Sequence, residues 1–223
     1  MPLSSELVIL NVGARTSPLS RVQLGEVYNE LKQTHPYIEF APEYVKTVGD
    51  RDQMTSLRSL GKSNFFTAEL DRMVLDCRCR IAIHSAKDLP DPLAEGLCVI
   101  AVTSGIDPSD ALVLREGENL ETLEKGARIA TSSERREEMV NSMRDDLSFI
   151  DLRGTIEKRL EKLQTGEADG VVIAEAALIR LQLTHLNRVI LPGATVPGQG
   201  QLAVTSRSDD EEMRTLFSCI DCR

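Results

Sequence analysis

Short apolar runs, each followed by a polar turn and then by helical periodicity, recur along the chain and constrain its fold more than any other feature. The runs at residues 128–130 and 170–174 are too short for helices and suit buried strands. Apolar residues at Leu24, Val27 and Leu31 instead follow the spacing of a buried helical face. Because such strands alternate with helices, the sequence predicts an α/β fold.

The same patterns predict the strands and the places where the chain crosses between domains. A break at residues 103–110 and a glycine-flanked loop at residues 195–201 predict two crossings between two domains. If residues 202–205 return to the first sheet, the two crossings make a hinge around a cleft. The polar stretch at residues 48–64 is predicted to be a functional loop. The predicted strands are residues 7–11, 38–47, 80–83, 97–102, 128–130, 148–152, 170–174 and 202–205.

Charge and hydropathy exclude several classes of function. The net charge of −9 argues against binding to nucleic acid or to an anionic membrane, and aromatic residues at 4% argue against a base-stacking surface. No apolar run approaches the roughly 18 residues of a membrane span. The first ten residues lack the pattern of a secretory signal, so we expect a cytoplasmic protein.

The chain has five cysteines, and their spacing favours reduced thiols over a metal site. Cys219 and Cys222 form a single C-x-x-C without a second pair or a suitably spaced histidine, so no metal site is predicted. Reduced thiols are typical of the cytoplasm.

A polar segment ends the apolar run at residues 81–83 and is a candidate catalytic element. His84, Lys87 and Asp88 follow the run, and Pro90 stops regular structure. Lys87 can bind an anion, while the carboxylate of Asp88 can accept N–H bonds or stabilise a cation. The alternative is a solvated Lys-Asp pair at a strand end, which contributes little.

Arginines follow the predicted strands in both halves of the chain. Arg15 precedes a helix with Ser17 as the predicted N-cap, and residues 131–134 match a capping box at the start of another helix. Each arginine alone suits a solvated surface position, but strand ends in open α/β sheets converge on one crevice. Together they predict a site for a ligand with several carboxylates or phosphates. The arginines concerned are Arg15, Arg135, Arg136, Arg153 and Arg159.

These motifs, taken in order, resemble porphobilinogen deaminase, also called hydroxymethylbilane synthase, from about Val8 to Arg207. The resemblance implies two domains like those of type II periplasmic-binding proteins, with a central cleft and a double-crossover hinge. Domain 1 is expected to comprise residues 1–103 plus 200–223, and domain 2 residues 107–196. The matching segments are residues 13–19, 84–90, 107–111, 131–136, 152–155 and 197–200.

The resemblance also implies an activity, a cofactor and roles for single residues. Members condense four porphobilinogen molecules to hydroxymethylbilane in haem biosynthesis, releasing ammonia, on a dipyrromethane cofactor linked to a cysteine. Porphobilinogen is the expected partner, and we expect a monomer. Asp88 matches the catalytic aspartate. The implied substrate- or cofactor-binding residues are Arg15, Ser17, Phe66, Lys87, Thr131, Ser132, Ser133, Arg135, Arg136, Arg153, Arg159 and Gln199.

Two departures from the family pattern affect the cofactor. The glycine-rich loop of the family corresponds to residues 61–66, where the lysine is displaced by one position. Lys62 is still included among the substrate- or cofactor-binding residues that the resemblance implies. The family's third domain carries a Gly-Gly-Cys attachment site, and no Gly-Gly-Cys occurs in this sequence. We therefore expect that this domain is lacking and that the cofactor is attached elsewhere, is held non-covalently, or full polymerisation is lost. Cys77 and Cys79 are predicted at the amino end of a strand, and Cys98 within one. Of the remaining two, Cys219 is the predicted attachment site, because Cys222 lies beside a fraying end.

Two other functions remain open. In the first, the chain is a non-catalytic binding module of the periplasmic type for a small dicarboxylate or pyrrole. In the second, it is a degenerate deaminase that makes only a dipyrrole. Asp88 favours an enzyme, since a carboxylate adds nothing to a site that only binds anions.

Overall fold

The computed structural model describes residues 7–56, 58 and 63–223, which fold into two α/β units. Unit 1 takes in Met1–Arg51, Lys62–Gly105 and Gln201–Arg223, and unit 2 takes in Asp52–Gly61 and Ile106–Gly200. The described residues 52–56 and 58, expected in domain 1, lie in unit 2. Hydrogen bonds from Arg58 to Asp151 and to the carbonyl of Thr131 give the physical reason.

Ten strands and seven α-helices form from the described residues. The strands are β1 (Val8–Arg15), β2 (Ile38–Val45), β3 (Ile81–Ser85), β4 (Leu97–Val102), β5 (Asp110–Leu114), β6 (Arg128–Ala130), β7 (Ser148–Ile150), β8 (Gly170–Ala174), β9 (Arg188–Ile190) and β10 (Leu202–Arg207). The helices are α1 (Pro18–Thr34), α2 (Val48–Arg51), α3 (Ala68–Leu75), α4 (Glu134–Met143), α5 (Ile156–Gln164), α6 (Glu175–Arg180) and α7 (Glu211–Phe217).

Unit 1 is built on a five-stranded sheet in the order β2-β1-β3-β10-β4. Strands β1, β2 and β3 are parallel, whereas β10 runs antiparallel to both of its neighbours, β3 and β4. The predicted return of the chain to the first sheet is therefore confirmed, because β10 fills the position between β3 and β4.

The first strand is longer than the sequence predicts. The predicted strand ended at residue 11, yet β1 pairs with β2 from Val8 opposite Ile38 to Arg15 opposite Val45. Gly13 suits this position in the strand because it has no Cβ. A Cβ there would come within 3.2 Å of the Leu70 side chain. Continuous pairing thus carries Arg15 to the very end of the strand.

Helix α1 follows the prediction closely. Ser17 is its N-cap, with the hydroxyl accepting a hydrogen bond from the Ser20 N–H at 3.2 Å, and Pro18 is the first helical residue. Its apolar face, Leu24, Val27 and Leu31, is buried in the core of unit 1. This packing places the start of the helix beside the end of β1.

The predicted loop at residues 48–64 contains regular structure. Its first residues form the short helix α2, and a 3-10 turn at Asn64–Phe66 precedes α3. Phe66 lies in that 3-10 turn and packs against Gly49, where the Phe66 ring leaves no room for a Cβ. Residues 57 and 59–62 lie outside the described chain.

Unit 2 has a second five-stranded sheet in the order β7-β6-β8-β5-β9. Strands β6, β7 and β8 are parallel, and β5 is antiparallel to β8, with Asp110 opposite Ala174. The sequence prediction missed β5 and β9. The antiparallel direction of β5 brings its first residue to the edge where β6 and β8 end.

Helix α4 begins differently from the prediction. The capping box at residues 131–134 was expected to start the helix, but the N-cap is Ser133 and its side chain makes no capping hydrogen bond. The Thr131 hydroxyl instead accepts a hydrogen bond from the Ser133 N–H at 3.3 Å. Consequently Arg135 and Arg136 both lie in the first turn of α4.

Within the described chain, no helix is long and apolar enough to cross a membrane.

Candidate functional site

Asp88 follows the carboxyl end of β3, in the 3-10 turn Ala86–Asp88. Its side chain is partly buried, and no hydrogen bond or ion pair joins its carboxylate to another described residue. Lys87 precedes it in the same turn and is also partly buried. The carboxylate of Asp88 is therefore available to a ligand in unit 1.

The turn with Asp88 is fixed by neighbouring elements of unit 1. The Gln23 side chain donates a hydrogen bond to the Ser85 hydroxyl at 2.8 Å, and the Ala86 N–H donates to the Gln201 carbonyl at 3.0 Å. Strand β10 extends this support, with Leu202 opposite Ser85. Helix α1 and the chain before β10 thus hold the backbone of the turn from two sides.

His84 is buried beneath this turn and does not offer a ligand a charge. Its ring Nε2 lies 3.1 Å from the Thr205 hydroxyl oxygen. Burial, with a smaller contribution from the charge of Arg15, lowers the pKa of His84 to about 4. The imidazole is therefore neutral at pH 7, and its role in unit 1 is that of a buried hydrogen-bonding group.

Arg15 ends β1 and is held by two groups of unit 1. Its guanidinium forms an ion pair with Asp50, whose carboxylate also accepts hydrogen bonds from the Thr47 N–H and hydroxyl, both at 3.0 Å. The Phe66 ring lies against it, 4.6 Å from the guanidinium carbon. Burial acts to raise the pKa of Asp50, but Arg15 and Thr47 outweigh it and lower the pKa. Arg15 is thus brought together with Phe66, and Asp50 balances its charge.

In unit 2 the turns after β6 and β7 are joined at one edge of the sheet. Ser132 bridges them, because its hydroxyl donates to the Leu152 carbonyl at 3.0 Å and accepts from the Leu152 N–H at 2.8 Å. Arg153 comes next, and its guanidinium donates to the Asp52 carbonyl at 2.7 Å. The Arg159 Nε on α5 donates to the Gly154 carbonyl at 2.9 Å. The predicted residues Thr131, Ser132, Arg153 and Arg159 therefore lie around these two joined turns.

A second group at the same edge centres on Asp110, the first residue of β5. Asp110 is completely buried. It accepts hydrogen bonds from Arg135 Nη2 at 2.6 Å, from Arg136 Nε and Nη2 at 3.0 and 2.6 Å, and from Gln199 Nε2 at 3.0 Å. Burial alone would raise the pKa of Asp110, but Arg136 and Arg135 outweigh it and hold the pKa below its usual range.

Sequence reasoning missed four side chains that organise these edges. Asp110 and Asp50 bind the predicted arginines, and Gln23 supports the turn with Asp88. Arg180 is buried on α6 and donates to the Gly200 carbonyl at 2.9 Å, beside Gln199. Of these four residues, Asp110 could have been found from the sequence, because it lies in the matched family segment at residues 107–111. The partners of Asp50 and Gln23 are 35 and 62 residues away and leave no local pattern.

Cysteines lie at both the amino and the carboxyl ends of the strands in unit 1. Cys77 and Cys79 lie between α3 and β3, at the amino end of β3, beside a cavity of about 440 Å³ that also reaches Asn11. The arginines of this cavity pair with their own carboxylates, such as Arg80 with Asp210. The cavity is thus at the sheet edge opposite Asp88.

The end of the chain is more ordered than predicted. Cys219 is exposed in the 3-10 turn Ser218–Ile220. Cys222 was expected at a fraying end, but its N–H donates to the Val102 carbonyl at 2.8 Å, and the Asp221 carboxylate accepts from the Val102 N–H at 2.9 Å. These bonds fix the terminal residues at the carboxyl end of β4. The predicted ligand Lys62 lies outside the described residues.

The fold itself places the chain among proteins of the type II periplasmic-binding class. A periplasmic substrate-binding protein of an ABC transporter from Coxiella burnetii matches with a TM-score of 0.59 at 15% identity, over 95% of this chain and 91% of that one. The VFT2 domain of BvgS from Bordetella pertussis matches with a TM-score of 0.55 at 11% identity, over 95% and 86%. At such identities the likeness shows the fold alone, and the predicted fold class is confirmed.

Sequence similarity defines the family. Residues 10–215 match the family model "Porphobilinogen deaminase, dipyromethane cofactor binding domain". Porphobilinogen deaminases of Roseiflexus sp. (strain RS-1) and Clostridioides difficile (strain 630) are each 38% identical to the chain, over 95% and 94% of its length. The chain covers 71% of each of these relatives. It belongs to the porphobilinogen deaminase family.

Proposed function

We propose that this chain condenses porphobilinogen molecules head to tail, with release of ammonia, to give the linear tetrapyrrole hydroxymethylbilane. The observation that carries the proposal is the partly buried carboxylate of Asp88, which no described residue engages. A carboxylate in this state has its charge available to a cation formed in the reaction, which an anion-binding module would not need.

The chemistry requires such a negative charge. The carbon–nitrogen bond of the aminomethyl group breaks and ammonia leaves, so positive charge develops on the pyrrole. The α-carbon of the next pyrrole forms a carbon–carbon bond with the methylene carbon and then loses its proton. Asp88 accepts the pyrrole N–H and offsets the positive charge, while its rigid turn keeps the carboxylate in place without reorganisation.

The substrate's own carboxylates require cations elsewhere in the site. Each porphobilinogen carries an acetate and a propionate group, which suit the planar fork of an arginine. We assign Arg135, Arg136, Arg153 and Arg159 of unit 2 to these acids, together with Arg15 and Lys87 of unit 1. Ser17, Thr131, Ser132, Ser133, Gln199 and Phe66 remain proposed binding residues on the strength of the family resemblance.

Dipyrromethane fits the donor set of unit 2. It is a polyanion with the same acetate and propionate groups, and at the carboxyl edge of that sheet Asp110 pairs with both Arg135 and Arg136, so this cluster has one more cation than it has carboxylates. When bound, dipyrromethane supplies the pyrrole carbon to which the first substrate is joined. The residues of this chain would hold its acids by charge-assisted hydrogen bonds.

The proposal is tested by incubating the protein with porphobilinogen, measuring ammonia release and determining the mass of the products. We expect ammonia release with a product of four pyrroles. Ammonia release with a two-pyrrole product would instead support a degenerate deaminase. Binding of porphobilinogen without ammonia release would contradict catalysis and support the binding module.

Attachment of dipyrromethane is a separate question, and Cys219 is the proposed site. The intact mass of the protein after incubation with porphobilinogen should increase by one dipyrrole, and the adduct should disappear in Cys219→Ser. Cys222→Ser is the matched control, since Cys222 is also exposed and only three residues away. An adduct that persists in Cys219→Ser, or its absence from the parent, would eliminate Cys219.

A further inference from the structure

Two adjacent arginines in the first turn of α4 form an arrangement that the helix alone does not favour. Arg135 and Arg136 repel each other and lie where the helix dipole disfavours cations. The first turn also contains Glu134 and Glu137. Glu137 pairs with Arg58, and among the described contacts neither glutamate forms a hydrogen bond or ion pair with the two arginines. Another group must therefore stabilise the two guanidiniums at this position.

Asp110 is that group, and it engages the two arginines unequally. With Arg136 it forms a two-pronged contact through Nε and Nη2, at 3.0 and 2.6 Å. With Arg135 it forms one bond, from Nη2 at 2.6 Å, while Arg135 Nη1 donates to the Ala194 carbonyl at 3.0 Å. The Nη1 group of Arg136 donates to no described residue. Asp110 therefore fixes the Nε and Nη2 groups of this guanidinium, and Nη1 is left for a ligand.

Asp110 also orders the loop before β10. The Gln199 amide donates to the Asp110 carboxylate at 3.0 Å and to the Ser109 carbonyl at 3.2 Å, and Gln199 is 4% exposed. A single negative charge therefore organises two cations and an amide, so this cluster by itself has a net positive charge. Such a charge balance suits an anionic ligand rather than an internally neutral ion pair.

We propose that Asp110 is a positioning residue, which acts through Arg136 to align its free Nη1 edge with a carboxylate of the pyrrole substrate. The proposal rests on the proposed function, because the ligand class comes from it. Asp110 itself does not touch the ligand, and its effect is transmitted by the geometry of the guanidinium. A lysine in place of Arg136 would keep the charge but not the two-pronged contact.

The test uses calorimetric binding of a pyrrole that carries acetate and propionate groups but no aminomethyl group, so that turnover is not required. Asp110→Asn should weaken binding about tenfold, and the same change in an Arg136→Ala background should have a clearly smaller effect, because only the contact of Asp110 with Arg135 then remains to be lost. The matched control is Asp169→Asn, because Asp169 pairs with Arg115 in the same unit, at 2.7 Å and at the amino end of β8. That variant should bind like the parent.

Arg136→Lys keeps the test decisive even if Asp110→Asn does not fold. We expect its affinity to be close to that of Arg136→Ala. Parent-like binding by Arg136→Lys, or an Asp110→Asn effect that is undiminished in the Arg136→Ala background, would overturn the positioning role. A parent that does not bind the pyrrole would overturn it too, whereas binding without ammonia release from porphobilinogen would overturn the proposed function alone.

Discussion

Asp88 and Asp110 lie at the corresponding edges of the sheets in the two units, and their surroundings are opposite. Asp88 follows a parallel strand, is partly buried and has no partner among the residues described. Asp110 begins an antiparallel strand, is completely buried and accepts hydrogen bonds from two arginines and a glutamine. One aspartate therefore has its charge available to a ligand, whereas the other uses its charge to organise cations.

The largest expected effect separates the two aspartates by catalysis. Asp88→Asn should lower the turnover number for ammonia release roughly 10²–10³-fold, because an amide keeps the shape but loses the charge that stabilises the substrate cation. Asp91→Asn, three residues away in the exposed turn after Pro90, is the matched control and should retain parent turnover. If Asp88→Asn stays within a few-fold of the parent, Asp88 is not the catalytic group.

The next effect concerns arginines at opposite edges of the sheet in unit 2. Arg136→Ala or Arg153→Ala should weaken binding of the pyrrole dicarboxylate by about 1.5–3 kcal/mol, the contribution of a charged hydrogen bond. Arg115→Ala should change it little, because Arg115 pairs with Asp169 at the other edge. Calorimetry on all three variants checks this, and equal losses at the three positions would contradict a localised anion site.

The pH dependence of stability distinguishes the buried His84 of unit 1 from the buried Asp110 of unit 2. His84 in unit 1 has a folded-state pKa of about 4, below its unfolded value of 6.5, so the unfolded state takes up a proton first as the pH falls. Stability of unit 1 is therefore lost between pH 6.5 and 4. For Asp110 in unit 2 the folded pKa is lowered from 3.8, so its contribution is lost only at more acidic pH.

Hydrogen exchange followed by mass spectrometry can read the two units separately. Between pH 7 and pH 5 the opening free energy of β3 peptides should fall by about 2 kcal/mol, from the shift of the His84 pKa. Peptides from β5 should lose much less over the same interval. In His84→Gln the fall in β3 should disappear, and a fall of equal size in that variant would show that His84 is not its source.

The sequence predicts most of the strand and helix pattern, because most of the strands are short apolar runs before a polar turn. It does not predict β5, whose first residue Asp110 reads as part of a crossing between domains. Hydrophobic periodicity does not predict that an aspartate is fully buried in an apolar strand. The burial of Asp110 depends on Arg135 and Arg136, which lie 25 and 26 residues further along the chain. The antiparallel direction of β5 likewise depends on pairing with β8, which is a tertiary property.

The candidate site shows the same limit. Residue type and position at a strand end were enough to single out Asp88, Arg15 and the arginines of unit 2. Which carboxylates those arginines contact was not predictable, because Asp50 meets Arg15 across 35 residues of chain. An arginine expected to be open to a ligand therefore proves to be balanced by an internal carboxylate.

The smallest expected effect compares two serines that were both assigned to ligand binding and are both N-caps. Ser17 caps α1 with its hydroxyl, whereas the Ser133 side chain makes no capping hydrogen bond at α4. Ser17→Ala should therefore lower the free energy of unfolding of unit 1 by about 1 kcal/mol, because the Ser20 N–H loses its acceptor. Ser133→Ala should change the stability of unit 2 by less than about 0.5 kcal/mol. Hydrogen exchange of α1 and α4 peptides measures both, and equal losses would show that the difference in capping does not determine the stability of these helices.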